Sequence, residues 1–345
     1  MSQFSRRDFL RLSTLTLGGV AFSPLLPHSN RFDDGRFVRV ATKSVSVYSA
    51  PNDESQIVAQ SLRDDLVHVY KEVNSGTPAY NPIWYRVWGG YMHRGRLQKV
   101  KVLFNEPLTA IPEGTRQLAE LTVPYTQAMR YTKTYGWQPN LRLYYGSVHW
   151  IDGIDVGPDG DPWYRIFDEL IGFPYHALAI HLRPIPWDEW SPITPEVPLE
   201  KKRIEVNLSR QVLTAYEYDQ IQLQTTISSG IPNGRPSPRV LSTKTPSGEF
   251  QILEKYPSKH MGNGNLFAGP DEYELPGVPW TSFFTESGVA FHGTYWHDNF
   301  GTPMSRGCIN MRIAEAKWLF RWTRPLDESD RISTPGRGTP VVVAP

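Results

Sequence analysis

The stretch HGTYWHDNFGTPMSRGCIN, residues 292–310, decides how the rest of the chain is read, because it contains Cys308, the single cysteine of 345 residues. A lone thiol has three readings on composition alone: an intermolecular disulfide, a free reactive nucleophile, or a small buried hydrophobe. Its neighbours separate them. Cysteine attacks as the thiolate, and its solution pKa of about 8.5 has to be lowered by an imidazole, a positive charge or a helix N-terminus. All three occur here: His292 upstream, Arg306 two residues before the thiol, and a helix-period segment a few residues after it. Gly307 allows a sharp turn that brings main-chain N–H groups, those of Gly307 and Cys308, toward an incoming carbonyl as an oxyanion hole. Ser305 stands where a hydroxyl can orient a partner, and Asn310 where an amide can fix the loop.

Working outward, the C-terminal third is strand-rich. Arg203-Ile204-Glu205-Val206-Asn207-Leu208 and Gln211-Val212-Leu213-Thr214-Ala215-Tyr216 alternate on either side of Ser209-Arg210, a hairpin signal. Further strands are expected at 222–227, at 248–252 after the turn Thr245-Pro246-Ser247-Gly248, and at 339–343. One helix is expected over 313–323, where Ile313, Ala316, Leu319 and Phe320 share a face and Pro325 ends the pattern.

At this point the residues resemble a known family. His292-Gly293-Thr294, then Gly301, then Ser305-x-Gly307-Cys308-Ile309-Asn310 look like the signature of the L,D-transpeptidase catalytic domain, the YkuD-type fold. Thr245-Pro246-Ser247-Gly248-Glu249-Phe250 resembles the family's Thr-Pro-x-Gly-x-Phe turn, and Leu275-Pro276-Gly277-Val278-Pro279-Trp280 its lead-in to the histidine strand. The resemblance covers 201–345 and implies a β-rich catalytic domain with a short helix after the cysteine. It implies that Cys308 is the nucleophile and His292 the proton acceptor, working without cofactor or metal on peptidoglycan stem peptides. One departure stands out: the family most often has His where this chain has Arg306, so no role that needs a second imidazole there carries over. A guanidinium at that place can hold a thiolate or bind a substrate carboxylate. Gly293, Thr294, Tyr295 and Trp280 are further candidates for substrate contact, with a core role for the aromatics as the alternative. His297-Asp298 reads as a loop pair on a solvated surface. A zinc site from His292, His297 and Cys308 fits no common ligand spacing.

Upstream, residues 36–102 are a series of short alternating runs broken by Ala50-Pro51-Asn52-Asp53, Asn74-Ser75-Gly76 and Gly89-Gly90. With Pro82-Ile83-Trp84-Tyr85-Arg86-Val87 and Gly90-Tyr91-Met92-His93 they resemble a bacterial SH3-like module. Asp161-Pro162-Trp163-Tyr164-Arg165-Ile166 echoes that central run, which suggests a second, diverged SH3-like unit over 103–185. Five prolines, at 184, 186, 192, 195 and 198, then mark an extended linker, 186–200, whose Trp187 and Trp190 are expected to pack on a neighbouring domain. The architecture expected is therefore mainly β throughout.

The first thirty residues differ from the rest. Ser5-Arg6-Arg7-Asp8-Phe9-Leu10-Arg11 precedes a mostly apolar run to Leu26 and resembles a twin-arginine export signal, either cleaved or retained as a membrane anchor. The expected location is the cell envelope. Basic and acidic residues nearly cancel, 36 against 35, so nucleic-acid binding has no electrostatic support. Three functions fit: an L,D-transpeptidase joining stem peptides through a Cys308 thioester, an L,D-carboxypeptidase with water as acceptor, or a non-catalytic scaffold that binds wall glycan or peptide through the SH3-like modules. A redox role lacks the resolving cysteine it needs.

Overall fold

A computed structural model describes residues 35–232, 243–262 and 274–345. The expected export signal lies outside the described residues. The fold is mainly β, with one α-helix among the described residues.

Two sheets build the N-terminal unit. Phe37–Val40 lies between Leu66–His68 and Leu97–Val100 in one; the other runs in the order Ile57–Leu62, Ser44–Tyr48, Gly90–His93, Ile83–Val87, Lys71–Asn74. Alternation drives the closure: Val38, Val40, Val47, Tyr85, Val87, Met92 and Leu97 point inward and form one apolar cluster. The middle unit is a seven-stranded sheet in the order Gly136–Tyr144, Tyr125–Thr132, Tyr175–Leu178, Pro162–Phe167, Val148–Val156, Gln117–Leu121, Leu182–Pro184. The two Trp-Tyr-Arg runs occupy interior strands of sheets of different size, and the tyrosine of each, Tyr85 and Tyr164, is buried.

The C-terminal unit holds two five-stranded sheets. The first runs Gln220–Thr226, Val212–Glu217, Lys202–Asn207, Pro340–Ala344, Gly248–Gln251; the second runs Ile309–Met311, Ala290–Gly293, Leu275–Phe283, Glu254–Met261, Thr334–Pro335. Asn207 pairs with Val212, so the hairpin closes through the four residues 208–211 rather than through Ser209-Arg210 alone. Gln211 takes φ 51° there. Its side-chain oxygen accepts the Ser229 N–H at 2.8 Å, and its amide donates to the Leu208 carbonyl at 2.6 Å, which offsets the cost of that conformation.

The helix Ile313–Trp322 lies on the second sheet with Ala316, Leu319, Phe320 and Trp322 buried. Its C-terminal carbonyls, unpartnered within the helix, receive two buried lysines. Lys202 Nζ donates to Trp322 O at 3.0 Å, and Lys255 Nζ to Thr323 O at 3.1 Å.

One core joins the units. Leu118, Val148 and Trp150 of the middle unit, and Ile185 and Trp190 of the Pro-rich segment, belong to the same buried cluster as Ile204, Trp280, Phe291, Ile309 and Phe320. Trp190 stacks edge-on against Trp150 and Trp187, and Ile193 N–H donates to Arg321 O at 3.0 Å, so the Pro-rich segment is strapped along the helix.

Candidate active site

Strands Ala290–Gly293 and Ile309–Met311 run parallel, with Phe291 opposite Ile309 and His292 opposite Asn310. Opposed residues in a pair share a face and side chains alternate along each strand. His292 and Asn310 therefore lie on one side, while Phe291 and Ile309 enter the core on the other; Cys308 immediately precedes the second strand. Phe291 and Ile309, anchored in the core, thus fix the strand pair that carries His292 and that Cys308 leads into.

His292 is buried, and its Nδ1 donates to the Gly293 carbonyl at 3.1 Å, which leaves Nε2 as the basic nitrogen. Trp296 covers the ring, with centroids 5.5 Å apart. Burial lowers the His292 pKa to about 4. Cys308 is partly exposed, its Sγ 3.8 Å from the Gly288 carbonyl. Its dense surroundings push the thiol pKa up, and a backbone contact with Ala290 works the other way. Desolvation penalises charge on both partners, so the resting site holds a neutral thiol and a neutral imidazole.

The turn that carries the thiol is held from two sides. Ser305 Oγ donates to Cys308 O at 2.5 Å and accepts the Gly307 N–H at 3.1 Å. The Gly307 amide, expected in the oxyanion hole, is instead committed to Ser305, which leaves the Cys308 amide as the donor that the turn offers. Gly307 takes φ 123°, a conformation that favours glycine. Behind it, Thr245 Oγ1 donates to Gly307 O at 2.7 Å and accepts from Gly230 N–H at 2.8 Å. Asn310 exchanges two backbone hydrogen bonds with Ser228, each 2.9 Å. Thr245, Ser228 and Gly230 were not singled out for the site from sequence, although Thr245 opens the turn motif quoted above. A Cβ on Gly230 would stand 2.1 Å from Thr243 O and 2.9 Å from Gly307 Cα, so only glycine fits against this turn.

The remaining candidates divide. Arg306 is exposed on the turn beside the thiol. Gly293 and Thr294 are buried, and a Cβ at Gly293 would meet Pro279 at 2.9 Å, so they pack the histidine strand rather than line a groove. Trp280 is a core residue and not a substrate contact: it is 1% exposed and lies edge-on to Phe320 at 5.5 Å. Tyr295 is likewise 1% exposed, stacked on Tyr144, with its hydroxyl donating to Pro276 O at 2.9 Å. Apolar area too large to leave in water took both aromatics inward. His297 is not on a solvated surface either. It is buried, and its Nε2 lies 2.7 Å from the Asn310 side-chain amide.

Two clefts flank the segment Thr285–Gly288. One, of about 450 Å³, is lined by Pro246, Phe250 and Phe284; the other, of about 350 Å³, by Tyr256, Lys259, Glu286 and Gly288. Gly288 thus ties the second cleft to the thiol.

Residues 201–343 match the model of the YkuD family, the L,D-transpeptidase catalytic domain. Among solved structures, a cysteine-to-serine mutant of an Enterococcus faecium L,D-transpeptidase is 27% identical over 42% of this chain and 50% of its own, with a TM-score of 0.31. The NMR structure of the catalytic domain of an E. faecium L,D-transpeptidase is 27% identical over 42% of this chain and 98% of its own, TM-score 0.29. An L,D-transpeptidase from Mycobacterium smegmatis is 16% identical over 76% of this chain and 90% of its own, TM-score 0.32. The chain spans about half the length of the first structures it matches, 49% and 50%. No curated protein matches it.

Proposed function

We propose that the protein is a cell-envelope cysteine acyltransferase that cross-links peptidoglycan stem peptides. The observation that supports this reading is the position of Cys308 on the turn leading directly into the strand that pairs in parallel with the His292 strand, within a segment that matches the L,D-transpeptidase catalytic domain model.

The Cys308 thiol attacks the carbonyl of the third residue of a tetrapeptide stem. Because thiol and imidazole rest neutral, the proton passes to His292 Nε2 as the carbon–sulfur bond forms. The Cys308 amide receives the developing oxyanion. Collapse of the tetrahedral intermediate breaks the peptide bond, and the imidazolium returns its proton to the leaving terminal amino acid, which leaves a thioester. A side-chain amine of a second stem then attacks the thioester, His292 takes the proton of that amine, and the thiol is regenerated. With water in place of the amine, the same site is an L,D-carboxypeptidase. The N-terminal and middle units, read as SH3-like modules, would bind wall glycan or peptide, and the twin-arginine signal would deliver the chain to the envelope.

Incubation with a tetrapeptide-stem muropeptide tests the chemistry. Intact-protein mass spectrometry should show an adduct on Cys308 that is absent in Cys308→Ala, and product analysis with and without an acceptor stem separates transfer from hydrolysis. An unchanged mass together with untouched substrate rejects the reading.

A further inference from the structure

Four buried polar side chains form a line from the N-terminal unit to the strand pair of the active site. Asn81 Nδ2 donates to Asn299 Oδ1, and Asn81 is itself fixed within its unit, its side-chain oxygen accepting from Arg94 Nε at 3.0 Å and its carbonyl facing His93 Nε2 at 2.8 Å. The Asn299 main-chain N–H donates to His297 Nδ1 at 3.1 Å, and the Asn299 carbonyl accepts from Ser228 Oγ at 2.7 Å. His297 Nε2 then meets the Asn310 amide at 2.7 Å. A neutral ring that accepts on Nδ1 carries its proton on Nε2, and donation from there requires the amide oxygen of Asn310. A half-turn of that amide supplies it, and one Asn310 side-chain polar atom is without a hydrogen-bond partner in either orientation. Asn310 stands directly opposite His292 and two residues after Cys308.

All four residues are at most 3% exposed. An orphaned buried polar group costs about 1–3 kcal/mol, so breaking any link of the line is costly and the line favours one arrangement. The same loop is pinned to the N-terminal unit at two further points. Arg39 Nη2 donates to Tyr295 O at 3.1 Å, and Thr302 Oγ1 to Tyr80 O at 3.0 Å.

We propose that Asn81, Asn299 and His297 are positioning residues, through which the N-terminal unit sets where Asn310, and with it Cys308, stands relative to His292. The catalytic loop 295–302 is on this view built by two parts of the chain, and the C-terminal unit alone is an incomplete enzyme. His297 adds an electrostatic condition. Burial and the neighbouring His292 and Arg96 depress its pKa to about 3, so it stays neutral when His292 becomes an imidazolium and does not oppose the proton transfer. The inference rests on Cys308 and His292 as the reacting pair.

The test uses the full chain, with a tetrapeptide-stem muropeptide as substrate and iodoacetamide as a substrate-independent probe of Cys308. Asn81→Ala is expected to lower kcat about tenfold with KM within about twofold, and to slow alkylation several-fold at fixed pH. His297→Phe is expected to lose more. His297→Gln, which keeps a donor at the Nε2 position, recovers kcat to within about threefold of the parent. Unchanged kcat and unchanged alkylation in Asn81→Ala overturn the proposal, as does a His297→Gln variant no better than His297→Phe. A parent chain that alkylates normally but never acylates, with Asn81→Ala still slower to alkylate, sinks the proposed reaction and leaves the coupling standing.

Discussion

At the scale of single residues, the site is set by desolvation. His292 carries a pKa of about 4 because its ring is buried, with only the Gly293 carbonyl favouring the charged form. The base is active when neutral, so a lowered pKa extends the working range toward acid. We expect the acid limb of kcat/KM to fall near pH 4 rather than near 6.5, the value of a free imidazole. A pH–rate profile from pH 3.5 to 8 checks this, and a limb centred at 6.5 would contradict it. Cys308, His292 and Ser305 are picked out by their spacing, and the structure puts Ser305 on the Cys308 turn and His292 on the strand paired with the one that follows it. His297 was misread because a His-Asp pair in a loop looks solvated, and nothing local signals that Asn81, 218 positions away along the chain from Asn299, buries that loop.

At the scale of elements, the helix and the alternating strands were readable within one or two residues of their ends, because period 3.6 and period 2 are local properties. The lysines were not. Lys202 and Lys255 sit on strands at inward positions, where sequence alone places an apolar residue. They are tolerated because the helix C-terminus supplies carbonyls and, for Lys255, the carboxylate of Asp327. Burial lowers the Lys255 pKa and raises that of Asp327, and their attraction offsets both shifts. Lys255→Met leaves Asp327 buried without its counter-charge and should cost about 3–5 kcal/mol. Replacing both, Lys255→Met with Asp327→Leu, should recover most of that loss. Urea unfolding of the two variants decides it; a double variant as weak as the single one would show that the ion pair is not the source.

At the scale of the whole molecule, the same desolvation makes stability depend on pH from both directions. His149, His181 and His292 have folded pKa values of about 4, and His297 about 3, all below the unfolded value. The unfolded chain binds those protons first, so the contribution is intact above about pH 6.5 and is lost as pH falls toward the folded values, roughly 3 kcal/mol for each histidine at full loss. Such a loss is a sizeable part of the stability of an ordinary domain, so stability is expected to decline steeply as pH falls toward 4. His260 works oppositely. It lies between Asp168 of the middle unit, at 2.8 Å, and Glu274, at 2.7 Å, and those carboxylates raise its pKa despite burial. Its contribution is present below about pH 6.5 and is lost as pH rises through the raised folded value. Urea midpoints measured from pH 4 to 9 should fall steeply on the acid side and more gently on the alkaline side; a flat profile between pH 7 and 4.5 would refute the assignment.

Local form belongs to the sequence: the glycine turn, the strand alternation and the helix follow from residue type and spacing, which act over a few positions, and the proposed nucleophile and base rest on the same local pattern. Assembly belongs to the tertiary structure. It put Trp280, Tyr295 and His297 inside, drew Leu118, Trp150 and Trp190 into the core of the C-terminal unit, and brought Asn81 to the catalytic loop. The physical reason is that burial and hydrogen-bond partnership between residues far apart in the chain depend on where whole sheets dock, and no local pattern encodes that distance.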